Sequence, residues 1–241
     1  MDPLVPPLTP RLAALADAIV PGSRVADVGS DHGLLPLWLA ASGRAAYCLA
    51  TEKSEALLVR VARPPASAPW AALLDYRAGD GLSALQPGDR IDTIVLAGLG
   101  GRTIARILDA TQWESPSLVR LVLQPRSEFA LTRLWLSNSG WRPVAERLTQ
   151  ERSRFHLTLA AERGDDAELY ADATLSREDL LTAGPLLTRS RSPEHVRFWR
   201  AERDRLSAII DRPRSGPSFE RAVAGLARAD RILAAISPPG G

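Results

Sequence analysis

Apolar positions along this chain switch between two periods. Thr9-Pro10 has the form of a helix N-cap followed by proline at the first helical position. Leu12, Leu15, Ala16 and Ile19 then fall on one face, which predicts a first helix ending at Pro21-Gly22. From there, β-type apolar runs alternate with helical patterns. The predicted strands cover residues 24–28, 46–51, 74–77, 91–97 and 118–123, and the predicted helices cover 34–41, 54–62, a short stretch near 82–85, 102–110 and 128–139. This alternation predicts a parallel sheet covered on both faces, with right-handed crossovers and a ligand site outside the carboxyl ends of the strands. Residues 141–148 and 154–161 follow as two strands with a short polar connection, which predicts an antiparallel hairpin.

Beyond the sheet, residues 194–210 place Val196, Trp199, Leu206 and Ile210 near one face, and residues 219–236 do so with Phe219, Val223, Leu226 and Leu233. The turn over 211–217 is short, so the two helices are expected to pack antiparallel as a hairpin or coiled-coil arm. The chain thus divides into an α/β catalytic domain over 1–163 and a connector with a helical hairpin over 164–241. Val5–Pro7 and Ser237–Gly241 read as frayed ends. A sheet of parallel strands closed by an antiparallel pair resembles the Rossmann-like methyltransferases, although element order alone does not specify function.

At 241 residues, 45% hydrophobic and 24% charged, the chain is long enough for one large domain and an appendage. It has no apolar run of about 18 residues and no basic-then-apolar start, so a cytoplasmic protein without membrane contact is expected. Cys48 is the single cysteine and there are three scattered histidines, so neither a disulfide nor a metal centre is expected. The net charge of +2 hides an asymmetry. Residues 1–184 hold 19 Lys+Arg against 22 Asp+Glu, whereas residues 185–241 hold 11 Arg against 6 Asp+Glu. A basic tail suggests a polyanionic partner, while a solvated Arg-rich surface accounts for the charge equally well.

The strongest local signal is Val25-Ala26-Asp27-Val28-Gly29-Ser30-Asp31-His32-Gly33, closing a strand and leading into a helix. A dinucleotide fingerprint needs glycines spaced G-x-G-x-x-G, and here Asp31 and Leu34 occupy the later glycine positions. A carboxylate in that loop repels a pyrophosphate but favours S-adenosylmethionine, which carries an ammonium and a sulfonium. A simpler role for Ser30 or Asp31 is to cap the next helix. Glu52 ends the second strand, where doubly wound folds place an acid that accepts from ribose hydroxyls. Asp80-Gly81-Leu82 ends the third, where an acid meets the adenine amino group and an apolar neighbour the ring. The fourth ends in Ala97-Gly98-Leu99-Gly100-Gly101, without the Asn/Asp-Pro-Pro-aromatic signature common in amino-methylating enzymes. Glycines there admit a ligand to the backbone or let a helix pack tightly on the sheet, and both readings stand.

Together these residues resemble the bacterial tRNA (adenine-22-N1)-methyltransferases over nearly the whole chain. Leu8-Thr9-Pro10-Arg11-Leu12 is similar to the family's L-S-x-R-L, Asp27–His32 to its D-x-G-S-D-H, Ala97–Gly101 to its A-G-M-G-G and Leu123-Gln124-Pro125 to its L-Q-P. Gly184-Pro185-Leu186-Leu187, with Phe198-Trp199 and Glu202, resembles the start of its C-terminal helical pair. The chain departs from the family at Arg126, where asparagine is usual, at Phe155-His156, where tyrosine-glutamate stands, and at Gly33, where alanine is common.

The resemblance implies cofactor contacts from Arg11, Asp27, Gly29, Ser30, Asp31, Gly33, Glu52, Lys53, Asp80, Gly81, Leu82, Ala97 and Gly98. Asp31, His32 and Gly98 are the candidates for the rim that holds the target base. Arg126 and, in the tail, Arg189, Arg191, Arg197, Arg200 and Arg203 are the candidates for tRNA contact. The implied chemistry is direct methyl transfer to adenine N1, whose lone pair is already nucleophilic at neutral pH, so catalysis rests on positioning and on acceptors for the cationic product. Two other classes remain compatible with the residues: a methyltransferase acting on a small molecule or protein, and a noncatalytic RNA-binding relative.

Overall fold

The computed structural model describes residues 5–65, 67–110, 117–211 and 215–237. In chain order these form α1 (Pro10–Ala18), β1 (Ser23–Val28), α2 (Leu34–Ala41), β2 (Ala45–Glu52), α3 (Glu55–Leu58), β3 (Leu74–Ala78), β4 (Thr93–Gly100), α4 (Gly101–Asp109), β5 (Arg120–Ser127), α5 (Phe129–Asn138), β6 (Trp141–Glu151) and β7 (Arg154–Arg163). There follow α6 (Arg177–Ala183), α7 (Pro185–Ser190), α8 (Pro193–Ile210) and α9 (Pro217–Ile236). The chain divides into two compact units, Met1–Gly164 and Asp165–Gly241.

The first unit is a seven-stranded sheet in the order β3-β2-β1-β4-β5-β7-β6. The first five strands run parallel, and β7 inserts antiparallel between β5 and β6. Alternation along the strands builds a core on each face. Val25, Val95 and Val122 point to the side of α1 and α2, with Leu15, Ile19 and Leu39. Ala26, Ile94, Leu96, Leu121 and Leu123 point to the side of α4 and α5, with Ile104 and Leu136. Thr9 caps α1 through its side chain, which accepts from the Leu12 amide. Val5 is buried in the first core, so the expected fraying does not include it.

Several boundaries differ from the sequence reading. The helix expected over 54–62 stops at Leu58. Beyond it the Ala62 amide donates to the His32 carbonyl at 2.9 Å, which draws the chain back to the loop after β1, and Arg63-Pro64-Pro65 cannot extend a helix. β4 begins at Thr93 and continues through the glycines to Gly100, and β5 continues to Ser127. The Arg133 side chain of α5 is buried against the buried side chain of Glu146 of β6, Nε to Oε1 2.6 Å.

In the second unit α8 and α9 form the expected hairpin, with Leu206 seated against Gly225. Residues 212–214 of the turn lie outside the described residues. The connector contains two further short helices, α6 and α7. Asp179 of α6 is buried and receives Arg228 and Arg231 of α9, the latter at 2.9 Å. Among the described residues, no helix is long and apolar enough to cross a membrane, and no group of His, Cys, Asp and Glu could hold a metal ion.

Candidate active site

β1 pairs with β2 on one side and β4 on the other, so the order of the sheet reverses between β1 and β4. A cleft of about 440 Å³ opens at the carboxyl ends of these strands. One wall is the end of β1, with Asp27, and the loop after it, with Gly29, Ser30, Asp31 and His32. Ala97, Gly98 and Leu99 of β4 form its floor, and Arg11 and Leu12 of α1 stand at its side. The opposite wall carries Gln124 and Arg126 of β5 with Arg154 and His156 of β7.

The acidic loop is held rigidly. Gly29 and Ser30 donate their amides to the Thr51 carbonyl at 2.9 and 3.0 Å, and the Ser30 hydroxyl donates to the Asp27 carbonyl at 2.7 Å. Gly29, Asp31 and Gly33 all take positive φ, which turns the chain sharply between strand and helix. Glu52, 8% exposed, accepts from the Asp31 amide at 2.6 Å, while its own carbonyl accepts from the Gly79 amide at 2.8 Å. It therefore ties the loops after β1 and β3 together. Gly33 is the N-cap of α2 and no side chain caps that helix, which removes the simple capping role for Ser30 or Asp31. A Cβ at Gly33 would stand 2.3 Å from Val61 Cγ1, so the close approach of that segment accounts for glycine at this position.

Asp27 is 5% exposed, and burial, reinforced by the neighbouring Glu52 carboxylate, pushes its pKa up to about 7 against the weaker pull of Ser30 and Arg11. Asp31 and His32 are exposed at the rim, 3.9 Å apart. The glycines of β4 divide between the two roles left open by the sequence. Gly98 has φ +75° and nothing within 4 Å of a built Cβ, so it opens the cleft floor. Gly101 instead permits packing, since a Cβ there would meet the Glu128 carbonyl at 2.6 Å and Thr132 Oγ1 at 2.7 Å.

Lys53, Asp80, Gly81 and Leu82 lie outside this cleft, as do Gly33 and Glu52. Asp80 is exposed and faces Lys53 at 3.7 Å, whereas Leu82 turns into the core. The structure brings in residues to which sequence reasoning gave no role. Gln124, 1% exposed, accepts from Arg11 Nη1 at 3.0 Å and donates to the Arg11 carbonyl and to Thr158. Glu151 accepts from the Arg11 amide at 3.1 Å. Burial, Arg11, Arg154 and Arg126 together hold His156 below the usual histidine range despite the nearby Glu151. In the sequence, Gln124 stood out as part of the L-Q-P match and His156 as a departure from the family pattern, while Glu151 was only a polar residue at the end of a strand.

In the second unit, Arg189 donates to the Glu168 carbonyl at 2.7 Å, Arg197 pairs with Glu194 at 2.8 Å and Arg203 with Asp204 at 3.2 Å. Arg191 and Arg200 are exposed and carry no ion pair among the described residues.

The strand order, the acidic loop after β1 and the cleft at the reversal point define a Rossmann-like methyltransferase. More narrowly, the profile of the TrmK family, tRNA (adenine(22)-N(1))-methyltransferase, matches residues 25–225, and the chain belongs to that family. It is 29% identical over 204 residues to the tRNA (adenine(22)-N(1))-methyltransferase of Bacillus subtilis, covering 85% of this chain and 84% of that protein. The crystal structure of the B. subtilis m1A22 tRNA methyltransferase TrmK superposes with a TM-score of 0.80 at 27% identity, covering 96% of this chain and 99% of that one. A Streptococcus pneumoniae protein solved with S-adenosyl-L-methionine superposes with a TM-score of 0.81 at 27% identity, covering 94% of this chain and 100% of that one.

Proposed function

We propose that this chain methylates N1 of an adenine in tRNA, position 22 as in its relatives, with S-adenosylmethionine as the methyl donor and the cytoplasm as its place of action. The observation that carries the reading is the buried Asp27 beside an acidic loop in the 440 Å³ cleft of a chain that matches the family over residues 25–225. The donor set fits that cofactor. A carboxylate deprived of water gains from a cationic neighbour, the φ-positive Gly29 and Gly98 leave backbone open to a ligand, and no phosphate-binding glycine pattern is present. S-adenosylmethionine supplies an electrophilic methyl carbon on a sulfonium.

The protein's own contribution is positional. Asp27, Gly29, Ser30 and Asp31 hold the cationic end of the cofactor, with Arg11 fixed by Gln124 at the side. Glu52, Lys53 and the Asp80-Gly81-Leu82 loop, joined to the β1 loop through Glu52, serve the ribose and adenine ends. The adenine to be methylated must leave its stack, because N1 lies on the pairing edge, and Asp31, His32 and the Gly98 floor are the rim that receives it. No residue need remove a proton before attack. The basic arm residues 185–241, through Arg191 and Arg200 above all, hold the tRNA body.

The test is to incubate the full chain with unmodified tRNA and isotopically labelled cofactor, then digest and analyse the nucleosides. Labelled N1-methyladenosine at position 22 is expected. Label only in N6-methyladenosine under conditions that prevent rearrangement, or only in protein or small molecules, would overturn the reading.

A further inference from the structure

β5 and β7 are partners for only part of their length. Their antiparallel ladder ends at Leu123–Leu159, yet β5 continues to Ser127 along β4 and β7 reaches back to Arg154 along β6. Pro125 sits just past the last pair and has no N–H to give. The final link is between side chains, Gln124 Nε2 to Thr158 Oγ1 at 3.0 Å, and beyond it the strands part as a fork. Alternation puts Gln124 and Arg126 on one face of β5, and Thr158, His156 and Arg154 on one face of β7. Both faces line the same cleft.

The cleft is therefore divided by charge. Asp27 and Asp31 stand at the β1 end, Arg126 and Arg154 at the fork, and Arg11 of α1 acts on both Asp27 and His156. Arg11 is bound to Gln124, whereas the side chains of Arg126 and Arg154 are exposed and make no hydrogen bond or ion pair among the described residues. A cationic cofactor belongs at the acidic end, which leaves the basic end for an anion. His156 lines the same cleft, and burial with the charges of Arg11, Arg154 and Arg126 lowers its pKa against the opposing pull of Glu151, which favours the neutral ring. A neutral imidazole can accept a hydrogen bond from an exocyclic amine, whereas an imidazolium would donate to a ring nitrogen and occupy the lone pair that must attack.

We propose that this fork seats the target nucleotide, with Arg126 and Arg154 on its flanking phosphates and His156 accepting from the amino group of its base. The assignment rests on the tRNA methyltransferase reading above. It adds Arg154 and His156 to the substrate site and gives two of the three departures from the family pattern, at Arg126 and at His156, a shared role.

The test uses the full chain and reads cofactor affinity, tRNA affinity against salt, turnover and melting temperature. R126A/R154A is expected to bind S-adenosylmethionine within about twofold of the parent and tRNA roughly tenfold more weakly per arginine lost. Its log–log salt slope should be shallower by about 1 per arginine. R126K/R154K should restore most of the slope, because a point charge still neutralises phosphate. H156F should lose roughly tenfold in kcat with little change in tRNA KM, and H156Q, which keeps an acceptor, should retain most of it. A parent that leaves tRNA unmethylated would sink the functional reading as a whole. A parent that methylates it, while R126A/R154A keeps full tRNA affinity and slope or loses the cofactor, would sink the fork alone. Equal turnover in H156F and the parent would remove His156 from the base.

Discussion

Arg11 and Gln124, 113 positions apart, exchange hydrogen bonds: Arg11 Nη1 donates to Gln124 Oε1 at 3.0 Å, and Gln124 Nε2 donates back to the Arg11 carbonyl at 3.2 Å. The pair fixes the start of α1 against the end of β5 and aims the guanidinium into the cleft. Gln124→Ala should lower unfolding stability by about 1–3 kcal/mol, because Arg11 and Thr158 lose a buried partner. It should also weaken cofactor binding. Urea denaturation and calorimetry measure the two effects, and unchanged values in both would contradict this role.

Asp27 makes cofactor affinity depend on pH. A cationic ligand favours its ionised form, so affinity should rise from pH 6 to pH 8 through the group's pKa of about 7, with proton release on binding near neutrality. The same shift affects folding. A carboxyl raised above its unfolded value costs stability as pH climbs from about 4 to about 7, and costs nothing below that window. Asp27→Asn should accordingly raise Tm by several degrees at pH 8 and leave it unchanged at pH 4, while abolishing cofactor binding. Equal Tm at both pH values would show that the carboxyl is not desolvated.

The two glycine roles predict opposite outcomes at Gly98 and Gly101. Gly101→Ala meets backbone at 2.6 Å and should lose about 1–3 kcal/mol of stability by overpacking. Gly98→Ala meets nothing within 4 Å, so its cost should stay near the roughly 1–2 kcal/mol of a left-handed non-glycine residue, while turnover falls because a methyl intrudes on the cleft floor. Thermal melts and methylation assays on both variants separate the cases.

Arg133 and Glu146 are buried together at 1% and 0% side-chain exposure. Arg133→Met should cost about 3–5 kcal/mol by leaving a carboxylate without its cation, whereas R133M/E146L should recover most of that loss. Chemical denaturation of the two variants decides it.

The arm is best probed by substitution. Asp179 depends on Arg228 and Arg231, so a chain cut at Gly184 would strand a buried carboxylate. R191A/R200A in the full chain should bind cofactor normally and show a tRNA salt slope shallower by about 2. An unchanged slope would assign these arginines to a solvated surface.

Much of the cofactor side was legible in the sequence because it is local. The segment from Asp27 to Gly33 closes one strand and leads into one helix, so its residue spacing already dictates a sharp turn carrying carboxylates. Gly98 and Gly101 were visible as a run, but only the surroundings of each Cβ separated the open cleft floor from tight packing. The α3 boundary was misread because its stop depends on a hydrogen bond from Ala62 to His32, thirty positions earlier, and no helical periodicity records such a bond.

By itself the sequence determined the alternation of strands and helices, the acidic turn, the final hairpin and the basic tail. Each is set by side-chain period and backbone preference over a few residues. Only the tertiary structure decided that Arg11, Gln124, Arg126, Arg154 and His156 share one cleft. The packing of α1 on β5 and β7 brings together segments more than a hundred positions apart, and the ladder between β5 and β7 stops at Leu123–Leu159. The pKa of Asp27 and the neutrality of His156 were decided there as well. Both depend on exclusion of water and on charges from distant strands, and neither cause acts along the chain.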